Sequence, residues 1–166
     1  MKNEEPRPHA AETVEAGDRA AIRALPHDLP MRILDGSPDA VLICDRAGIV
    51  RYWNAAAERV FGFSVTEALG ASMNLIIPER LRARHWAGWD KTMATGVTRY
   101  GEGDLLAVPA LHKDGRQISI EFSIQLLEDA DGQIEWVAAV TRDVTGRYNR
   151  EKALRAELTA LRAGAR

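Results

Sequence analysis

Hydrophobic and polar residues alternate with a period of two in several segments of the chain, which is the pattern of a half-buried β-strand. The clearest case is 117–127, where the apolar side of the alternation is formed by Ile118, Ile120, Phe122, Ile124 and Leu126. The segments 98–111 and 134–142 flank it, with Asp-Gly turns between that predict tight hairpins. Two earlier apolar runs, 40–45 and 49–53, predict a further hairpin.

Capping residues place two short helices after the first hairpin. Asn54 is a good N-cap for a helix that ends at Gly62, because its side chain accepts a hydrogen bond from the first turn. Ser64 and Glu67 form a capping-box pattern, which predicts a second short helix ended by Gly70.

A longer helix is predicted between Pro78 and Gly96, since proline and glycine are its start and stop signals. This span is long enough for about four turns. One stripe of the helix carries residues at i, i+4, i+7 and i+11, namely Leu81, His85, Gly88 and Thr92. We therefore expect His85 to face inward, with Gly88 leaving room beside it. An inward neutral imidazole is a potential axial ligand for haem iron, although a hydrogen-bonded core histidine is the alternative.

The pattern divides the chain into three parts. Residues 1–30 are predicted to be a disordered tail followed by a marginal amphipathic helix at 11–25, with prolines marking a short linker. Residues 31–145 form the compact domain. Residues 146–166 are predicted to be helical, with a 4-then-3 spacing typical of a coiled-coil seam at Leu154, Leu158 and Leu161. That seam suits a homodimer formed through flanking helices, and a helix packed on its own sheet is the alternative.

Composition limits the classes of function and of location. The formal net charge is −2 with both signs interspersed, which gives no support for nucleic-acid binding. No apolar run approaches the roughly 18 residues of a membrane span. The charged N-terminus has no apolar signal segment, and the single cysteine cannot form an internal disulfide. We expect a cytoplasmic protein without membrane association.

The order of elements indicates an α+β fold, with a five-stranded antiparallel sheet flanked by short helices and one long helix, and with amphipathic N-terminal and C-terminal helices. With this order of elements, the sequence resembles a PAS domain. The resemblance covers about residues 31–145 and rests on SPDA at 37–40, YWNAAAE at 52–58, FGF at 61–63, HKDG at 112–115 and RDVT at 142–145. The last is similar to the junction that joins these sensor domains to a signalling helix.

Within this family, the segment 78–96 resembles the haem-binding gas sensors of the FixL type. The resemblance implies that His85 is the proximal iron ligand of haem b. It also implies that Lys91 and Arg99 lie near the haem propionates, which need cationic or backbone partners. Part of the apolar distal wall would come from the sheet, at Ile120, Phe122 and Ile124.

The sequence departs from the oxygen sensors on the first strand after the long helix. Those sensors carry an arginine there that donates a hydrogen bond to bound dioxygen, whereas this chain has Leu105. The loss of such a charge-assisted bond removes about 1.5–3 kcal/mol of stabilisation, which favours carbon monoxide or nitric oxide over oxygen. Alternatively, Leu106 faces the iron, or a protein side chain occupies the sixth position until gas displaces it.

Two alternatives to a haem sensor follow from the same fold. The domain is a cofactor-free dimerisation and signal-relay module, or it binds flavin or another small organic ligand. Flavin photoreceptors of the related LOV group need a cysteine on the short helix before the long one, and this chain has none there. No arrangement of residues indicates a catalytic site, so we expect no enzyme activity. Any catalytic output would belong to another region.

Overall fold

The structure is a computed structural model that describes residues 26–98 and 106–164. The predictions for the helix at 11–25, for the strand segment 99–105 and therefore for Arg99 and Leu105 lie outside the described residues. Leu106 is described as part of a strand, but not the surroundings of its side chain.

The described strands form one antiparallel sheet, in agreement with the sequence prediction. They are β1 (Ala40–Asp45), β2 (Val50–Trp53), β3 (Leu106–Leu111), β4 (Gln117–Glu128) and β5 (Ile134–Asp143), in the spatial order β2-β1-β5-β4-β3. The central strand β5 pairs with β1 on one side and β4 on the other, so the last strand in sequence joins the two hairpins.

The described helices are α1 (Leu29–Gly36), α2 (Ala55–Phe61), α3 (Val65–Ala68), α4 (Glu79–Thr95) and α5 (Thr145–Gly164), with a single 3-10 turn at Met73–Leu75. Four of these five α-helices were predicted from capping and periodicity, whereas α1 was not. The sequence places a linker there because of Pro26 and Pro30. Pro30 is the second residue of α1, a first-turn position where the missing N–H costs no hydrogen bond.

Asn54 joins three elements near the start of the sheet. Its side-chain oxygen accepts hydrogen bonds from the backbone N–H of Val41 at 3.0 Å and of Ala57 at 2.9 Å. Its amide nitrogen donates to the carbonyls of Leu34 and Asp39, both at 3.0 Å. The residue is buried, and these bonds satisfy both ends of the amide, so the predicted N-cap also ties Leu34 and β1 to the start of α2.

The hydrophobic core lies between one face of the sheet and the helices. Phe61 of α2 is fully buried beside Trp53, with ring centroids 5.2 Å apart. From the sheet, Ile118 and Ile120 are buried on the face that the alternation predicted. A second, smaller cluster places Met93 of α4 against β5.

α5 begins directly after β5, at the junction 142–145. The hydroxyl of Thr145 accepts from the N–H of Ser119 at 2.9 Å, and Arg142 forms two bonds to the carboxylate of Asp39. Beyond Thr145 the described side chains of α5 are exposed, so the alternative of a helix packed along its own sheet is wrong.

A unit beginning at Leu34 contains the sheet and helices α2 to α5. The predicted boundaries at residues 31 and 145 stay predictions. In the part of the chain that the structure describes, no helix is long and apolar enough to cross a membrane.

Candidate ligand site around His85

Helix α4 carries His85, the candidate iron ligand, and its first turns are hydrogen-bonded to the connector that precedes it, residues 74–77. The guanidinium of Arg82 donates to the carbonyls of Ile77 at 3.2 Å and of Asn74 at 3.1 Å. The helix ends at Gly96, whose φ of 69° is the left-handed conformation that glycine adopts without strain. The two bonds of Arg82 fix the start of the helix one turn before His85.

His85 is partly buried, and its Nε2 atom is fully buried without a hydrogen-bond partner among the described residues. Buried polar atoms are almost always paired, and leaving one unpaired costs about 1–3 kcal/mol. The prediction of a hydrogen-bonded core histidine therefore does not fit the Nε2 atom.

Burial lowers the pKa of His85 below its ordinary value, because desolvation disfavours the charged imidazolium. Burial thus favours the neutral ring, and a neutral imidazole has a lone pair on one nitrogen. A neutral imidazole with an unpartnered buried nitrogen is what a metal ligand requires.

Two tryptophans surround the imidazole. The centroid of the Trp86 ring lies 5.1 Å from that of His85 in an edge-on arrangement, and the centroid of Trp89 lies 6.0 Å away at 32°. Gly88, by contrast, is exposed, and a side chain there would meet nothing within 4 Å. The prediction that Gly88 leaves room beside His85 is therefore wrong, because Trp89, at i+4, occupies the inner face instead.

Each tryptophan is oriented by a hydrogen bond to another element. Nε1 of Trp86 donates to the side-chain oxygen of Asn74 at 2.9 Å, and Nε1 of Trp89 donates to the carbonyl of Arg46 at 3.0 Å. The Trp86 ring also lies on Gly48, where a Cβ atom would come within 2.3 Å of it. Both rings are thus fixed relative to the β1–β2 hairpin and the connector.

The predicted wall residues lie on the inner face of β4. Ile120 is buried in the core cluster, and Phe122 and Ile124 are partly buried against it. Leu81 and Trp89 of α4, the residues one turn to either side of His85, pack against the same cluster. The structure therefore brings the helix of His85 and the predicted wall to one apolar region.

The remaining predicted site residues are not gathered around His85 by the described contacts. Lys91 is exposed on α4. Leu106 lies opposite Phe122 in the pairing of β3 with β4. Arg99 and Leu105 lie outside the described residues, so the roles predicted for all four stay predictions.

The sequence interpretation missed Trp86, Trp89 and Arg46. Trp89 had a visible signal, since i+4 from His85 is the same helix face. Arg46 had none, because its contacts join residues distant in sequence.

No group of three or more histidine, cysteine or acidic side chains that could hold a metal occurs among the described residues. The thiol of Cys44 is buried in β1, and burial raises its pKa to about 12.

A family model described as the PAS fold matches residues 34–149. The chain belongs to the PAS family.

Solved PAS structures agree with this assignment at the level of the fold. A PAS domain from Colwellia psychrerythraea has a TM-score of 0.62 at 20% identity, covering 72% of this chain and 97% of that one. A sensory box histidine kinase/response regulator from Burkholderia thailandensis has a TM-score of 0.59 at 19% identity, covering 82% and 98%. An RNA-binding light-oxygen-voltage receptor has a TM-score of 0.65 at 18% identity, covering 96% and 42%.

Two curated proteins are similar in sequence to this PAS domain. An uncharacterized protein of Azorhizobium caulinodans is 33% identical over 123 residues, which is 74% of this chain and 16% of that protein. The sensor protein FixL of Bradyrhizobium diazoefficiens is 45% identical over 53 residues, which is 32% of this chain and 10% of FixL. The chain thus spans less than a fifth of the length of either relative.

Proposed function

We propose that this PAS domain binds haem b through His85, detects a diatomic gas (oxygen, carbon monoxide or nitric oxide) or a redox state, and relays it through α5 to an output domain. The observation that carries the proposal is the buried Nε2 atom of His85, which lacks a partner among the described residues. The partial similarity to FixL supports the choice of haem.

Haem fits a site with one histidine because the porphyrin supplies four nitrogen ligands and the protein needs to supply one. Haem, when bound, would supply an iron that can take up a small gas. The remaining roles belong to the chain. His85 would hold the iron through its buried Nε2 atom, and the indoles of Trp86 and Trp89 would hold the imidazole plane in place.

The sheet supplies the apolar side of the site. Ile120, Phe122 and Ile124 would exclude water, and water exclusion strengthens the interactions inside a site. Lys91 and Arg99 are proposed to pair with the propionates, since a carboxylate near an apolar pocket needs a cation or N–H donor. Leucine at both 105 and 106 puts no charged donor where the oxygen sensors carry their arginine, which favours carbon monoxide or nitric oxide over oxygen.

The relay is proposed to pass from the sheet to α5, where β4 contacts the junction through Ser119 and Thr145. The partner of α5 is proposed to be a second copy of this chain. Leu154, Leu158 and Leu161 are 64%, 49% and 72% exposed and lie on one seam. In a parallel pair, that heptad register places Glu157 opposite Arg162 of the second copy, an attractive pair.

We expect no catalytic step within this chain, in keeping with a sensory role. The proposed location is the cytoplasm, where the lone thiol of Cys44 stays reduced.

The test is a titration of the haem-free protein with hemin, followed by the Soret absorption band. We expect a saturable Soret band in the wild type, loss of that band or at least tenfold weaker binding in His85→Ala, and no change in His27→Ala. His27 is exposed, which makes it the matched control. An unchanged spectrum and affinity in His85→Ala would overturn the ligand assignment.

The other outcomes separate the alternatives. Protein that remains colourless at every hemin concentration would replace the haem proposal with a cofactor-free relay module. A yellow preparation with a flavin absorption spectrum would replace it with a flavin site.

A further inference from the structure

We propose that Arg46 is a positioning residue that fixes the second half of α4 against the start of β5, and thereby sets the position of His85 over the sheet. The inference deepens the proposed function, and its consequence for haem rests on that function. The structural part of it does not.

Arg46 lies in the turn of the β1–β2 hairpin and bonds in three directions. One guanidinium nitrogen donates to the carbonyl of Ile134 at 3.0 Å, and another donates to the carbonyl of Met93 at 3.1 Å. Its own carbonyl accepts the indole N–H of Trp89 at 3.0 Å. One residue therefore joins the hairpin, the first residue of β5 and two successive turns of α4.

The two halves of α4 are held differently. The first half bonds to the connector through Arg82 and Trp86, and to Gln117 through the exposed Arg80. In the described part of the chain, the hydrogen bonds that reach the second half from other elements come from Arg46. Among the described hydrogen bonds, the attachment of this half therefore rests on the side chain and the carbonyl of Arg46.

The apolar contacts converge on the same place. Met93 is buried against Ile134 and Val137 of β5, and Trp89 packs against this cluster. The carbonyl of Met93 would otherwise be free to accept in the last turn of the helix, where backbone carbonyls lack partners within the helix. A guanidinium suits this position because its fixed fork can reach two carbonyls at once.

The contacts of Arg46 lie close enough along α4 to affect His85. His85 lies eight residues before Met93, or about 12 Å along the axis, with Trp89 halfway between and in contact with the His85 ring. Because a helix is rigid over two turns, a change in the contacts of Arg46 moves the imidazole of His85. Conversely, a shift of α4 acts on the carbonyl of Ile134, at the start of the strand that leads into α5.

The first test measures hydrogen exchange in the haem-free full chain. Arg46→Met keeps an unbranched apolar stem and removes both donors, and we expect amides in residues 89–96 to exchange at least tenfold faster. Arg46→Lys retains a cation and should restore part of the protection. Arg51→Met is the control, because Arg51 lies in the same hairpin and pairs with Asp45 at 2.7 Å rather than with α4.

Unchanged exchange of residues 89–96 in Arg46→Met would overturn the inference. Equal acceleration throughout β4 would also overturn it, because Arg46 would then stabilise the fold as a whole instead of positioning α4.

The second test uses the protein after hemin addition and reduction, with the iron–histidine stretching band in resonance Raman spectra as the readout. A shifted or broadened band in Arg46→Met, with the wild-type band in Arg51→Met, supports positioning of His85. The same band in all three proteins contradicts it. If the wild type takes up no haem, the proposed function fails, while the hydrogen-exchange test still decides the role of Arg46.

Discussion

The imidazole of His85 lies in surroundings that oppose its protonation. Burial lowers its pKa, so the native protein resists a proton that the unfolded chain accepts below the ordinary value of 6.5. We expect an NMR titration of the haem-free protein to place the pKa of His85 below 6.5. We also expect the wild type to lose stability relative to His85→Phe as the pH falls from 6.5 to that lower pKa. A pKa at or above 6.5 would contradict the burial of the ring.

At Gly48, both the backbone conformation and the neighbouring ring of Trp86 exclude a side chain. Its φ is 73°, and a Cβ atom would lie 2.3 Å from the ring of Trp86. Gly115 has a φ of 86° with nothing within 4 Å, so it isolates the backbone cost. We expect Gly115→Ala to lose about 1–2 kcal/mol in free energy of unfolding. Gly48→Ala should lose clearly more, and equal losses in urea titrations would show that Trp86 does not rest on this turn.

At the scale of the element, α4 is held by long side chains that bridge to its neighbours, and its solvent face contains a glycine. Gly88 is exposed and lies in the helix interior, where glycine costs about 0.5–1 kcal/mol relative to alanine. We expect Gly88→Ala to stabilise the protein by about that amount in thermal or urea unfolding and to leave hemin affinity unchanged. Destabilisation, or loss of hemin affinity, would contradict the exposed position of Gly88 on the solvent face of α4.

The elements that the sequence predicted are those with local signals. Asn54, Ser64 and Gly96 each mark a helix end through contacts within a few residues, and the alternation in β4 identifies its buried face directly. α1 was missed because a proline in a first turn has the same appearance as a linker proline.

The candidate site was predictable only in part, for the same reason. The position of His85 on a long helix follows from spacing. The contacts that orient its neighbours join Trp89 to Arg46, and Arg46 to Met93 and Ile134, across 43 to 88 residues of sequence. No local pattern encodes such contacts, because they depend on how α4 packs against the hairpin and the sheet.

At the scale of the whole molecule, the exposed seam on α5 calls for a partner. We expect the protein to sediment as a dimer, and Leu158→Asp to sediment as a monomer, because a charge at the seam would be buried without a partner. Ala156→Asp is the control, since residue 156 lies on the opposite side of that heptad and its change should leave the dimer intact. A wild-type monomer at concentrations of tens of micromolar would refute the proposed parallel pair.

The central claim is that the buried nitrogen of His85 holds haem iron inside a PAS domain. The most direct measurement is the absorption spectrum of protein purified from haem-supplemented cells, taken oxidised, then reduced, then with carbon monoxide. The account predicts a sharp Soret band that shifts on addition of carbon monoxide and is absent from His85→Ala prepared in the same way. A featureless visible spectrum of the wild type would contradict it.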